Sequence, residues 1–138
     1  MLEPNETIIR FVAAVLYGLV IGFTRKHKPP GMRTFALLAL GCCMFTIIGI
    51  SLSAPNVDQT RIIGQIISGV GFLGLGVIWK QGEEKPAGLT TASLVWTASA
   101  IGVLVGLGMW LEVSVGTFLA VIIVGSKKQL QKVNWEDS

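Results

Sequence analysis

The sequence predicts an all-α integral membrane protein with about five transmembrane helices. Only 14% of its 138 residues are charged and 51% are hydrophobic, whereas about 25% of the residues of a typical soluble chain are charged. The charges leave three runs, 34–57, 62–79 and 89–111, without any charged residue. A helix of about 20 residues crosses a hydrocarbon core of about 30 Å, so each run is long enough to span a membrane. A soluble domain is therefore excluded.

The predicted helices occupy residues 7–24, 34–54, 62–80, 90–108 and 110–126. Helix one extends an apolar run backwards from Phe11, which places Arg10 near its end, where a long basic side chain can reach the lipid headgroups. Together these helices form a predicted membrane domain, 1–126, in contact with the lipid bilayer. Residues 127–138 follow as a short basic cytoplasmic tail.

The boundaries of the last two helices depend on a few residues. Thr90 or Thr91 can cap helix four, and Gly88 allows a tight turn before it. Helix five reaches a spanning length only if it begins near Trp110, which puts Glu112 at the interface. An alternative merges these two helices into one span with a re-entrant segment.

Lysine and arginine are distributed unevenly between the two sides of the predicted membrane domain. With five alternating spans, only Arg10 and Arg61 lie on one side. Nine basic residues lie on the other: Arg25, Lys26, Lys28, Arg33, Lys80, Lys85, Lys127, Lys128 and Lys132. The positive-inside rule then places the N-terminus outside and the C-terminus in the cytoplasm. The net charge of +3 is thus explained without a nucleic-acid partner.

Glycine is abundant, with 17 residues, and in lipid small residues let helices approach each other closely. Gly18 and Gly22 of helix one are four residues apart, as are Gly102 and Gly106 of helix four, so both pairs predict glycine-rich helix-packing faces. Five short helices bury little surface by themselves, and two of them have such faces to spare. We therefore expect a homodimer.

Helix three has small residues on several faces: Ser68, Gly69, Gly71, Gly74 and Gly76. The G-x-G-x-x-G pattern they contain indicates dinucleotide binding only after a strand and at the start of a soluble helix, so we discard it here. Two interpretations remain. Helix three is central and packs against many neighbours, or it is broken between Gly69 and Gly74 and presents carbonyls and helix ends to an ion or substrate. Gln65, the most notable polar residue of this helix, fits an inter-helix hydrogen bond or a pathway.

The polar residues do not predict an enzyme. No nucleophile is paired with a base, His27 is the only histidine, and no catalytic residue or cofactor is expected. Magnesium prefers six oxygen ligands, of which Asp58 and Glu112 could supply two, although the sequence does not show that they converge. Asp58 could equally pair with Arg61 or cap helix three.

Several segments carry distinctive motifs. The motifs are Gly18–Arg25, Gly31–Thr34, Asp58–Arg61, Gln65–Ile78 and Gly88–Trp96. Among their residues are Arg25, Gly31, Arg33, Thr34, Asp58, Arg61, Gly88, Thr90, Thr91 and Trp96. In combination, over residues 11–125, the chain resembles the MgtC/SapB family of bacterial membrane proteins.

This resemblance implies a multi-pass protein of the bacterial cytoplasmic (inner) membrane, from a virulence-associated family linked to survival in low magnesium. Lys26 stands where the family often has an acidic residue, so a role for an arginine–glutamate pair there is not carried over. Many members also have a soluble C-terminal domain, whose functions are not carried over to 127–138.

The leading hypothesis is a non-enzymatic protein of magnesium-related adaptation that acts through contacts with itself or with a larger membrane protein. The alternative is a transporter or channel for Mg²⁺ or another small solute.

Overall fold

The computed structural model describes residues 2–25, 30–52, 58, 60–79 and 88–126. Its helices are α1 (Pro4–Phe23), α2 (Met32–Ser51), α3 (Thr60–Trp79), α4 (Leu89–Leu107) and α5 (Trp110–Gly125). The all-α prediction and the five helices are confirmed. Four of the described helices are long and apolar enough to cross a membrane, while α5 has only 16 residues. The tail 127–138, the predicted helix ends at 53–54 and 80, His27 and the lysines of the basic side lie outside the described residues.

Helix α1 begins three residues earlier than the sequence indicated. Pro4 occupies its first turn, where the missing N–H of proline costs no hydrogen bond and its fixed φ suits a helix. This earlier start places Arg10 well inside the helix instead of near its end.

A glycine turn separates α4 from α5. Gly108 has φ +76°, and the N–H groups of Gly108 and Met109 donate to the Val105 and Leu104 carbonyls, both at 3.0 Å. This is the Schellman arrangement, which ends a helix at a left-handed residue that glycine adopts at least cost. The last two predicted helices are therefore separate helices, and the alternative of one span with a re-entrant segment stays a prediction.

Successive helices run in alternating directions. Gly18 of α1 lies against Ala36 and Gly22 against Met32, so α1 and α2 are antiparallel. Ile62, at the start of α3, lies beside Gly49 near the end of α2. We call the end of the bundle that holds Arg10, the end of α2 and the end of α4 the Arg10 end. The opposite end, where α1 finishes and α4 begins, is the Arg25 end.

Helix α4 occupies the centre of the bundle. It contacts all four other helices, whereas α3 contacts only α2 and α4. Accordingly, 56% of the spanning segment of α4 is buried against 11% for α3. The interpretation that helix three is central is therefore wrong, because α4 takes that position. The core consists mainly of apolar side chains from α1, α2 and α4, with Phe35, Ile21, Ile101 and Val105 among the most buried, and Val70 of α3 and Val113 of α5 join it.

Candidate functional site

The glycine face of α1 packs directly on the backbone of α2. A Cβ added to Gly18 would lie 2.7 Å from the Ala36 Cα, and one added to Gly22 would lie 2.6 Å from the Met32 Cα. Both distances are far below the optimum of about 3.5–4.0 Å for carbon contacts. These two positions accept no side chain larger than hydrogen without moving α1 away from α2.

The glycine face of α4 packs on α2 nearer to the C-terminal end of that helix than the glycines of α1 do. A Cβ on Gly102 would overlap the Ala39 carbonyl oxygen and lie 2.9 Å from the Cys42 Cβ. A Cβ on Gly106 would lie 2.7 Å from the Thr46 Cβ. The close approach brings many atoms into dispersion contact, which is the main source of helix association in lipid.

The glycines of α1 and α4 are therefore occupied within one protomer. The expectation that these two faces are spare for a second copy is wrong, because α2 covers both. A homodimer stays a prediction, and it requires a different surface.

Arg10 connects α1 to the end of α4. Its side chain is 7% exposed; Nη1 donates to the Gly106 carbonyl oxygen at 2.5 Å, and Nη2 donates to Glu6. The Gly106 carbonyl belongs to the last turn of α4, where helix carbonyls lack a partner within the helix and attract cations. The expectation that Arg10 reaches the headgroups is wrong, because the side chain points into the bundle and closes α4. Glu6, four residues earlier, was the sequence signal for this pairing.

Arg25 and Thr91 form the corresponding contact at the Arg25 end. The Arg25 guanidinium donates to the Thr91 hydroxyl oxygen, which is almost fully buried. Gly88 precedes α4 with φ +89°, a conformation that favours glycine, and Thr91 follows in the first turn. Three motif residues, Arg25, Gly88 and Thr91, are therefore brought together, and they fix the start of α4 against the end of α1.

The other motif residues of this end lie at the starts of α2 and α4. Gly31 is the extended N-cap of α2, and Arg33 and Thr34 are exposed in its first turn. Thr90 is half-buried beside Thr91. The structure places these residues at the same end of the bundle as Arg25.

Helix α3 is continuous from Thr60 to Trp79. The interpretation of a break between Gly69 and Gly74 is therefore wrong for this structure. A Cβ on Gly69, Gly71 or Gly76 would meet nothing within 4 Å, and one on Gly74 would lie 3.8 Å from the Ala92 Cβ. Helix α3 is thus a regular α-helix, and most of its surface is not covered by the other helices.

Two apolar grooves flank α3. The first, about 440 Å³, lies between α2 and α3 and includes Gln65, Gly69 and Phe45 in its lining. The second, about 480 Å³, lies between α3 and α4 and includes the motif residue Trp96, which is 57% exposed. Gln65 and Ser68 are both exposed. Gln65 therefore lies at the edge of the groove between α2 and α3, and Ser68 lies on the uncovered surface of α3.

The two magnesium candidates occupy the starts of different helices. The Asp58 carboxylate oxygen Oδ1 accepts hydrogen bonds from the Thr60 N–H at 2.9 Å and the Thr60 hydroxyl at 2.6 Å. These bonds, more than the nearby Arg61, lower the pKa of Asp58 by stabilising its charged form. Glu112 is exposed in the first turn of α5, which makes no contact with α3. Within the described part of the chain, no three or more His, Cys, Asp or Glu side chains are grouped as a metal site.

Four long apolar helices around an apolar core, with uncovered apolar surfaces, define a polytopic α-helical membrane protein. The model of the MgtC family matches residues 11–133, and the chain belongs to this family. The resemblance inferred from the motifs is therefore confirmed.

Named relatives support the same assignment. The chain is 36% identical to protein SrpB of Synechococcus elongatus, over 91% of this chain and 77% of that protein. It is 38% identical to protein MgtC of Brucella abortus (93% and 54%) and 37% identical to protein SapB of Bacillus subtilis (78% and 50%). The chain thus spans about half the length of the latter two relatives. No solved structure matches.

Proposed function

We propose that this protein is a non-enzymatic membrane protein of magnesium-related adaptation, acting through contacts with itself or with a larger membrane protein. Membership of the MgtC family supports the link to magnesium. The observation that favours contacts is the contrast between two sets of glycines. Those of α1 and α4 pack against α2, whereas most of those of α3 face open space.

The polar contacts between helices support the view that these side chains hold the bundle together and do not carry out a reaction. Arg10 closes the end of α4, and Arg25 holds the start of the same helix through Thr91. Both contacts join α1 to the central α4, and each uses the side chain's donors to satisfy a partner in a low-dielectric environment. The protomer is thereby held at both ends, while much of the surface of α3 stays uncovered and available for an encounter in the membrane.

Transport has less support, because its main observation was the expected break in helix three. With α3 continuous, Ser68 lies on the uncovered surface of the helix, and the groove that Gln65 lines is otherwise almost entirely apolar. Purified protein in lipid vesicles that contain a magnesium-sensitive dye would separate the two functions. The proposal predicts no Mg²⁺ influx above that of empty vesicles, whereas a protein-dependent influx would overturn it.

Growth in low magnesium tests the proposed function directly. A strain of the encoding bacterium that lacks the gene is compared with the same strain supplied with the wild-type gene, at micromolar and millimolar magnesium. We expect the deletion to slow growth only at micromolar magnesium and the supplied gene to restore it. Equal growth of the deletion strain and its parent at both concentrations would overturn the proposal.

We also propose the orientation and location that the basic residues indicate, with the N-terminus outside the cytoplasmic membrane and the C-terminus in the cytoplasm. Fusions to the C-terminus test this. A fluorescent protein, which matures in the cytoplasm, is expected to be bright there, and alkaline phosphatase, which needs an oxidising exterior, is expected to be inactive. The reverse pattern would contradict the orientation.

A further inference from the structure

The outer surface of α3 carries one continuous face with heptad spacing. Its exposed residues are Arg61, Gln65, Ser68, Phe72 and Leu75, separated by four, three, four and three positions. At 3.6 residues per turn these side chains lie on one side of the helix, opposite the buried Val70. Phe72 is 74% exposed. We call these five residues the outer face of α3.

We propose that the outer face of α3 is covered by α3 of a second copy of this chain, with the two helices parallel and related by a two-fold axis. The inference rests on the proposed function, because it names the surface through which the protein contacts itself. A spacing of four and three is that of left-handed helix pairs, the common geometry in membranes. Gly64 and Gly71 flank the face with open space at their Cβ positions, which allows a close approach.

The polar side chains of the outer face favour a second copy over lipid. Gln65 and Ser68 make no hydrogen bond to the described residues. By contrast, Thr97, Ser99 and Ser114 each donate to the carbonyl four residues earlier. An amide facing hydrocarbon without a partner is costly. A two-fold axis places Gln65 against its own copy, and an amide satisfies another amide because it both donates and accepts.

Charge at the Arg10 end favours the same partner. Asp58 and Arg61 are exposed at the start of α3, and the ion pair found among the described residues is the Arg10–Glu6 pair instead. Copies inserted in the same orientation bring both residues to the same depth. The two-fold axis brings Arg61 near its own copy, and its long side chain reaches Asp58 of the second copy one turn earlier, where the carboxylates offset the repulsion between the two arginines. Thr60 donates two hydrogen bonds to Oδ1 of Asp58. The other carboxylate oxygen of Asp58 can accept from Arg61 of the second copy.

Cysteine cross-linking in native membranes tests this interface. Ser68→Cys places a thiol at the centre of the outer face, and Ile67→Cys places one on the neighbouring residue, which is also exposed but lies on another side of α3. The natural Cys42 and Cys43 are free and buried, so wild type supplies the background. After mild oxidation we expect Ser68→Cys to give a species of twice the 14.7 kDa mass, while Ile67→Cys and wild type stay monomeric.

Each contrary result overturns the interface. No dimer from Ser68→Cys would mean that lipid or another surface covers the face. Equal dimer from Ile67→Cys would mean random collision, and an adduct of another mass would mean a different protein partner. Gln65→Leu supplies a second measurement. We expect its monomer–dimer dissociation constant in micelles to rise at least about threefold, the equivalent of an average inter-helix hydrogen bond in a membrane. An unchanged constant would contradict the pairing of Gln65.

The cross-linking and growth experiments fail independently. If wild type restores growth in low magnesium while Ser68→Cys does not cross-link, the α3 interface is wrong and the proposed function stands. If Ser68→Cys cross-links and the gene has no effect on growth, the interface stands and the proposed function is wrong.

Discussion

Gly102→Ala is the substitution for which the structure gives the clearest magnitude. The new methyl group would overlap the Ala39 carbonyl oxygen and lie 3.0 Å from the Ala39 carbonyl carbon and 2.9 Å from the Cys42 Cβ. Carbon contacts are optimal at about 3.5–4.0 Å, so α4 and α2 must separate by at least about 0.5 Å. The atoms of Ala39 belong to the backbone and cannot rotate away.

The expected free-energy change follows from two opposing effects. Overpacking costs about 1–3 kcal/mol, and alanine favours a helix over glycine by up to about 1 kcal/mol. Because the clash is with backbone atoms, the upper end of the overpacking cost applies, and we expect Gly102→Ala to lower the free energy of unfolding by roughly 2 kcal/mol. The loss arises at the contact between α2 and α4, the central helix of the bundle.

Gly116→Ala in α5 is the matched control, because a Cβ on Gly116 meets nothing within 4 Å and α5 lies outside the proposed interface. Without a clash, only the helix-propensity gain remains, and the free energy of unfolding is expected to stay the same or rise. Both variants are titrated with increasing fractions of SDS in mild-detergent micelles, with unfolding followed by circular dichroism. If Gly102→Ala unfolds at the same SDS fraction as wild type, or Gly116→Ala loses as much stability, the assignment of the packed and open glycines is wrong.

Three further substitutions test the ends of α4 with the same titration. Arg10→Leu leaves the Gly106 carbonyl buried without its donor and is expected to cost about 1–3 kcal/mol, and an unchanged midpoint would contradict the role of Arg10 as a helix cap. Gly108→Ala forces a left-handed alanine, at about 1–2 kcal/mol, and places a methyl group 2.8 Å from the Arg10 Nη2. A Gly108→Ala variant as stable as wild type would refute this prediction. Thr91→Val keeps the shape of the side chain but removes the acceptor for Arg25, and we expect a loss of about 1–3 kcal/mol. A midpoint equal to that of wild type would show that this contact contributes nothing.

The helices could be predicted from the sequence because their signals are local. Charge-free runs of spanning length located three helices, α2, α3 and α4, and Gly88 with the threonines after it marked the start of α4. The start of α1 was missed because Pro4 begins the helix in a segment that contains Glu3 and Glu6, which apolar runs exclude. Charge patterning detects the apolar part of a helix and not its polar first turn.

The arrangement of the helices could not be predicted, because the spacing of small residues indicates that a helix has a contact face but not which helix packs against it. Gly18, Gly102 and Gly71 occur in similar contexts in the sequence. Two of them pack against α2, and the third faces open space. The contact of Arg10 with the Gly106 carbonyl likewise joins residues 96 positions apart, and such pairings depend on how the helices assemble.

The most direct test of whether the outer face of α3 carries the function is growth in low magnesium. The deletion strain is supplied with the Gly71→Leu variant, which adds a side chain at the flank of this face. Gly116→Leu in α5 is the matched control, because a Cβ at either position meets nothing within 4 Å beyond the backbone of its own helix. At equal abundance in the membrane, we expect Gly116→Leu to restore growth and Gly71→Leu to fail, because the leucine keeps two copies of α3 apart. Full growth with Gly71→Leu would contradict the account.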